Sequence, residues 1–102
     1  MAGRSVRLTP EARVELTQAV DYYEQQASLG DDLLSCVEDC LLQIAEAPEA
    51  QSPAPGPGAV RLGFVKRFPY RIVFVEDPAE IRVLAVAHKS RRPGYWRSRL
   101  EA

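Results

Sequence analysis

Three runs rich in Val, Ile and Phe occupy residues 59–65, 68–75 and 81–87, separated by breaks of two and five residues. Breaks this short leave no room for a crossover helix, so the strands must return on one another as antiparallel hairpins in a meander. In the last run, alternation places Ile81, Val83, Ala85 and Ala87 on one face and Arg82, Leu84 and Val86 on the other. One face needs an apolar partner from elsewhere in the chain. The other is expected to stay partly open and to carry Arg61, Arg71 or Arg82, according to register.

The partner comes from upstream. Arg4 to Leu8 alternates like a short strand and runs into Thr9-Pro10-Glu11. There Thr9 can cap free amides, Pro10 suits the first helical turn and Glu11 favours the positive end of the helix dipole. Ala12, Leu16, Ala19, Val20, Tyr23 and Ala27 then recur at spacings of three and four, the stripe of an amphipathic helix. Gly30 interrupts the pattern and Asp31 is expected to cap a second helix, with Leu33, Leu34, Val37, Cys40, Leu41 and Ile44 as its stripe and Pro48 as its end. Two amphipathic helices across so short a break form an αα-hairpin. PEAQSPAPGPG, residues 48–58, reads as an exposed loop. The expectation is one α+β domain over residues 1–102, ordered β-α-α-β-β-β, with the hairpin on a mainly antiparallel four-stranded sheet.

Composition removes several function classes. The chain has no GxSxG, P-loop, GxGxxG or HExxH. No apolar run approaches the roughly 18 residues that span a bilayer, and the N-terminal residues lack a secretory apolar stretch, so a cytoplasmic protein is expected. Cys36 and Cys40, four apart on a helix, are poorly placed for a disulfide and read as buried thiols. With His88 the only histidine, neither a metal site nor a Cys–His nucleophile pair is expected, and no cofactor is implied. The carboxylates of the helices read as a solvated face.

Charge is divided between the halves. Residues 1–60 hold three basic side chains against ten acidic ones, and residues 61–102 hold ten basic against four acidic. The net charge of −1 conceals this polarity, which points to an anionic partner for the C-terminal half. The cations concentrate after the last strand, where His88, Lys89, Arg91, Arg92, Tyr95, Trp96, Arg97 and Arg99 fall within twelve residues. Guanidinium groups bind anions in bidentate fashion, and Tyr and Trp anchor interfaces or pack inward.

These residues carry a likeness as well. RFPYRIVFVED, IRVLAVAHKSRRPGYWRSR and the preceding LTPEARVELTQAVDYYEQQASLGDDLLSCVEDCLLQIAEAP resemble the RelE/ParE superfamily of bacterial type II toxins over residues 4 to 99. RelE-like members are ribosome-dependent mRNA endoribonucleases, and ParE-like members bind DNA gyrase without bond-making chemistry of their own. Both are neutralised by a cognate antitoxin. A RelE-like reading implies a catalytic set of Arg61, Arg71, Lys89 or Arg91, and Tyr95. It meets one departure, because glycine stands at position 63 where that pattern places a second lysine. The helical hairpin and the PGYWRSR ending are more similar to ParE. That resemblance implies a growth inhibitor binding gyrase through Lys89, Arg91, Arg92, Tyr95, Trp96, Arg97 and Arg99, with a toxin dimer expected inside the antitoxin complex. The alternative is the mRNA endoribonuclease acting on the ribosome.

Overall fold

The computed structural model describes residues 4–101. Strand β1 (Val6–Leu8) leads into helices α1 (Pro10–Ala27) and α2 (Gly30–Glu46). A 3-10 turn at Pro48–Ala50 precedes β2 (Ser52–Pro53), β3 (Val60–Phe64), β4 (Tyr70–Glu76) and β5 (Ile81–His88), and a last 3-10 turn covers Arg97–Glu101. The strands form one sheet in the order β1-β5-β4-β3-β2, with β1 parallel to β5 and the other pairs antiparallel.

The α+β architecture and the meander are as expected, but the sheet has five strands among the described residues where four were expected. The addition lies in the proline-rich segment, where Ser52 and Pro53 pair with Leu62 and Arg61. Proline is tolerated there because β2 is an edge strand with no neighbour needing its missing N–H.

Helix α1 starts as the sequence dictates: Thr9 Oγ1 accepts the Ala12 N–H at 3.2 Å, and Pro10 occupies the first turn. The helix–helix turn differs from expectation. Ser28 takes the left-handed conformation (φ 56°), its N–H donates to Glu24 O, and the next N–H, of Leu29, reaches Tyr23 O. Helix α2 therefore begins at Gly30 with Leu29 in the capping position, and Asp31 lies inside the first turn without capping it. Gly30 is needed for contact: a Cβ there would lie 2.9 Å from Glu24 Oε1 and 3.1 Å from Val20 O.

The hairpin packs on one sheet face. Ala12, Ala19, Leu33, Val37, Cys40 and Ile44 meet Phe68, Ile72, Phe74, Ile81, Val83 and Val86. Each large aliphatic side chain fully buried here contributes about 1.5–3 kcal/mol. Cys40 packs among them, and burial pushes its thiol up to about 11, so it remains a protonated packing group at neutral pH.

Gly63 sets the approach of α2 to the sheet. A Cβ at this position would come within 2.8 Å of Ile44 Cδ1 and 3.0 Å of Cys40 Sγ. No lysine fits there. Gly63→Ala is expected to lower stability by about 2 kcal/mol through overpacking, seen as a lower urea midpoint with an unchanged slope.

The strict alternation expected for the last strand fails at Leu84. Val73 pairs with Ala85 and Phe74 with Val83, leaving Leu84 as an extra residue in a β-bulge. Ile81, Val83 and Val86 consequently face the helices, while Leu84, Ala85 and Ala87 face the other way. The bulge turns both alanines onto the side reached by the C-terminal segment.

Candidate functional site

The second face of the sheet is not simply open. After β5 the chain turns at residues 89–94, with Gly94 at φ 80°, and folds back so that Trp96 is only 6% exposed. Trp96, Leu100 and Ala54 pack on Val60, Leu62, Val73, Leu84, Ala85 and Ala87, covering one end of this face with apolar contact. Arg97 pins the proline-rich loop over the same end, donating to Pro55 O and, at 3.0 Å, to Pro57 O.

Glu15 fixes the segment from the other side. It lies on α1 between Ala12 and Ala19, in register with their buried stripe, and its side chain is 12% exposed. The carboxylate accepts both Arg99 N–H groups at 3.0 and 3.1 Å, the Tyr95 hydroxyl at 2.7 Å and the Val86 N–H at 3.0 Å. Arg91 comes within 3.9 Å. These bonds follow from the bulge and from the shortness of β1, whose pairing with β5 ends at Leu8–Val83. Beyond that point β5 would present a bare edge. Instead Glu15 takes the Val86 N–H, and Leu84 O receives Thr9 Oγ1 and Arg99 Nη1. The acidic helix face is thus solvated except at Glu15.

Tyr95 sits beneath two guanidinium groups, Arg91 at 3.8 Å and Arg99 at 5.1 Å from its ring centre. Burial, then the hydrogen bond and charge of Glu15, push its phenol far above the usual 10.0, against the opposite pull of Arg91 and Arg99. A raised folded-state value means that the phenol's contribution to stability is complete below about pH 10 and is lost as pH rises through the folded value. Tyr95→Phe is expected to cost about 1–2 kcal/mol at neutral pH. The gap between wild type and variant should narrow above about pH 10, a trend that denaturant titration at successive pH values measures.

What stays open on this face is a pocket of about 360 Å³. Its lining includes Leu62, Val73, Ala87 and Trp96 as apolar surface and Arg71, Lys89, Arg91 and Arg92 as cations, without one carboxylate. His88 ends β5 at its border, with its ring edge-on to Tyr70 at 5.1 Å. Its Nδ1 accepts the Ser90 N–H at 3.0 Å.

The candidate residues separate into groups. Arg71, Lys89, Arg91 and Arg92 gather round the pocket and are exposed. Arg61 lies on the opposite face of β3 from Leu62 and donates to Gln51 O at 2.9 Å and Glu49 O at 3.4 Å. Tyr95 and Arg99 are engaged by Glu15, Arg97 by the loop, and Trp96 lies in the apolar cover. Sequence reasoning missed Glu15 as the organising residue. Its signal was a carboxylate three residues after Ala12 and four before Ala19, within a stripe that is otherwise buried. Among the described residues, no three His, Cys, Asp or Glu side chains gather as metal ligands, and no helix is long and apolar enough to cross a membrane.

Among solved structures, the chain is similar to one described as the chromosomal ParDE TA system from P. aeruginosa. The TM-score is 0.72 at 17% identity, covering 83% of this chain and 95% of that one, which is a likeness of fold. A search of curated proteins finds no match. The family model described as the ParE toxin of the type II toxin-antitoxin system parDE matches residues 6–93, ending just before the segment that Glu15 secures. The first strand, the helical hairpin, the meander and the rim cations Arg71, Lys89, Arg91 and Arg92 all fall within that match, and the chain belongs to the ParE toxin family.

Proposed function

We propose that this chain is the growth-inhibiting member of a cytoplasmic toxin–antitoxin pair, and that it acts by binding DNA gyrase through the basic pocket rather than by cleaving RNA. The carrying observation is the cluster of Arg71, Lys89, Arg91 and Arg92 on the open sheet face, round a pocket whose lining holds no carboxylate. Attraction and orientation of an anionic surface need only such charges. RNA cleavage would need more. A base, an acid and cations must converge on one phosphate, whereas Arg61 lies on the other face and the Tyr95 hydroxyl is engaged by Glu15. Arginine at position 61 is also a poor base because it stays protonated.

The antitoxin is the second partner in this reading. Val14 on α1 and Leu42 on α2 are more than half exposed, and they offer apolar surface away from the pocket for an extended segment. Purified gyrase in supercoiling and cleavage-complex assays, beside a translation-coupled mRNA cleavage assay, tests the target. The expected result is loss of supercoiling at toxin concentrations that leave mRNA intact. Cleaved mRNA with unaffected gyrase would reverse the assignment.

A further inference from the structure

We propose that the pocket receives one apolar side chain flanked by carboxylates, presented by an acidic protein segment of the target. This inference rests on the reading that the basic face contacts the target, and it specifies the chemistry recognised there. The pocket has two parts that call for different chemistry. Its floor, formed by Leu62, Val73, Ala87 and Trp96, is apolar and offers no acceptor to a bound cation. Arg71, Lys89, Arg91 and Arg92 supply the positive rim. A volume of about 360 Å³ suits a leucine- or phenylalanine-sized group with its flanking backbone. Charge complementarity then requires acidic neighbours.

Single-stranded nucleic acid fits less well. Its recognition relies on exposed aromatic faces that stack bases. Here Trp96 is 6% exposed and carries Arg97 at 4.8 Å, while the Tyr95 ring is covered by Arg91 and Arg99. The neighbouring exposed aromatic, Phe64, has Arg71 over its ring at 5.7 Å. An apolar floor whose one tryptophan is buried, set between cations, matches a side chain between carboxylates better than a base between phosphates.

Trp96 is the one tryptophan of the chain and lines the pocket, so its emission reports occupancy. The probe is a short capped peptide with leucine between paired glutamates. A control peptide has glycine at the centre, and oligothymidylate of equal charge represents nucleic acid, all at physiological ionic strength. The expected result is a saturable change with the leucine peptide, about tenfold tighter than with the glycine peptide, the factor that partial burial of one leucine supplies. The exposed-rim variant Lys89→Gln with Arg92→Gln should weaken both peptides, and an unchanged circular dichroism spectrum would show that its fold is kept. Equal affinity for the two peptides, or tighter binding of oligothymidylate, would overturn the proposal. If peptide binding failed while charge neutralisation of the rim still abolished toxicity, the pocket chemistry would be wrong and the target-face reading would stand. Peptide binding in a chain whose neutralised rim left toxicity intact would instead remove the target-face reading.

Discussion

Glu15→Ala is expected to lower stability by about 3 kcal/mol, the range found when one partner of a largely buried ion pair is removed. The size follows from what the substitution strands. Arg99, whose side chain is 17% exposed, would keep its charge without its carboxylate, and the Val86 N–H and Tyr95 hydroxyl would lose their acceptor. Each uncompensated polar group adds its own desolvation cost of about 1–3 kcal/mol, offset where water can enter. In a chain of 102 residues such a loss corresponds to a fall in Tm of more than about 10 °C. Glu15→Gln should fall between, because an amide oxygen can still accept one bond while the charge is gone. Removing the cation as well, in Glu15→Gln with Arg99→Met, should recover part of the loss, since the buried charge disappears with its partner. If Glu15→Ala unfolded at the wild-type midpoint, the C-terminal segment would be held by Trp96, Leu100 and the bonds of Arg97 and Arg99 to backbone carbonyls, without need of Glu15.

The sequence made the elements legible where local chemistry decides them. Thr9-Pro10-Glu11 specifies a helix start almost independently of context, and the short breaks before Phe68 and Ile81 permit only hairpins. It did not reveal features decided by tertiary contact. The bulge at Leu84 has no turn residue to announce it, and Glu15, Thr9 and Arg99 satisfy the backbone groups around it through contacts distant in sequence. One extra residue reversed the faces assigned to Ala85 and Ala87. The cap of α2 was misplaced because Ser28, not Gly30, takes the left-handed conformation, while Gly30 serves close packing. The candidate site was legible as a cluster of charge but not as a division of labour. Arg91, Arg92, Arg97 and Arg99 look equivalent in sequence, yet two reach the pocket rim as exposed groups and two are held by carbonyls or by Glu15. That difference depends on where Gly94 reverses the chain, and a run of arginines carries no mark of it.

Neutralising Arg91 and Arg92 together is expected to abolish growth inhibition while leaving antitoxin binding measurable. Both side chains are exposed at the pocket rim, and the contact of Arg91 with Glu15, at 3.9 Å on a half-exposed side chain, is worth no more than about 1 kcal/mol. The double variant should therefore keep its fold, and circular dichroism with a thermal scan checks this. Target association should lose both speed and orientation, because exposed charges act mainly on encounter and register. The antitoxin, in the proposed reading, covers the apolar side chains Val14 and Leu42, and burial of that surface is indifferent to the rim. Salt separates the two partners in the same way: raising it should weaken target binding more than antitoxin binding, since screening reaches exposed charge and leaves apolar burial largely untouched. Lys66→Gln with Arg67→Gln removes the same charge from exposed positions outside the pocket and should leave toxicity close to wild type. Equal loss in both double variants would mean that overall charge, and not the pocket rim, governs the target encounter. A folded Arg91/Arg92 variant that still arrested growth would place the target surface elsewhere on the molecule.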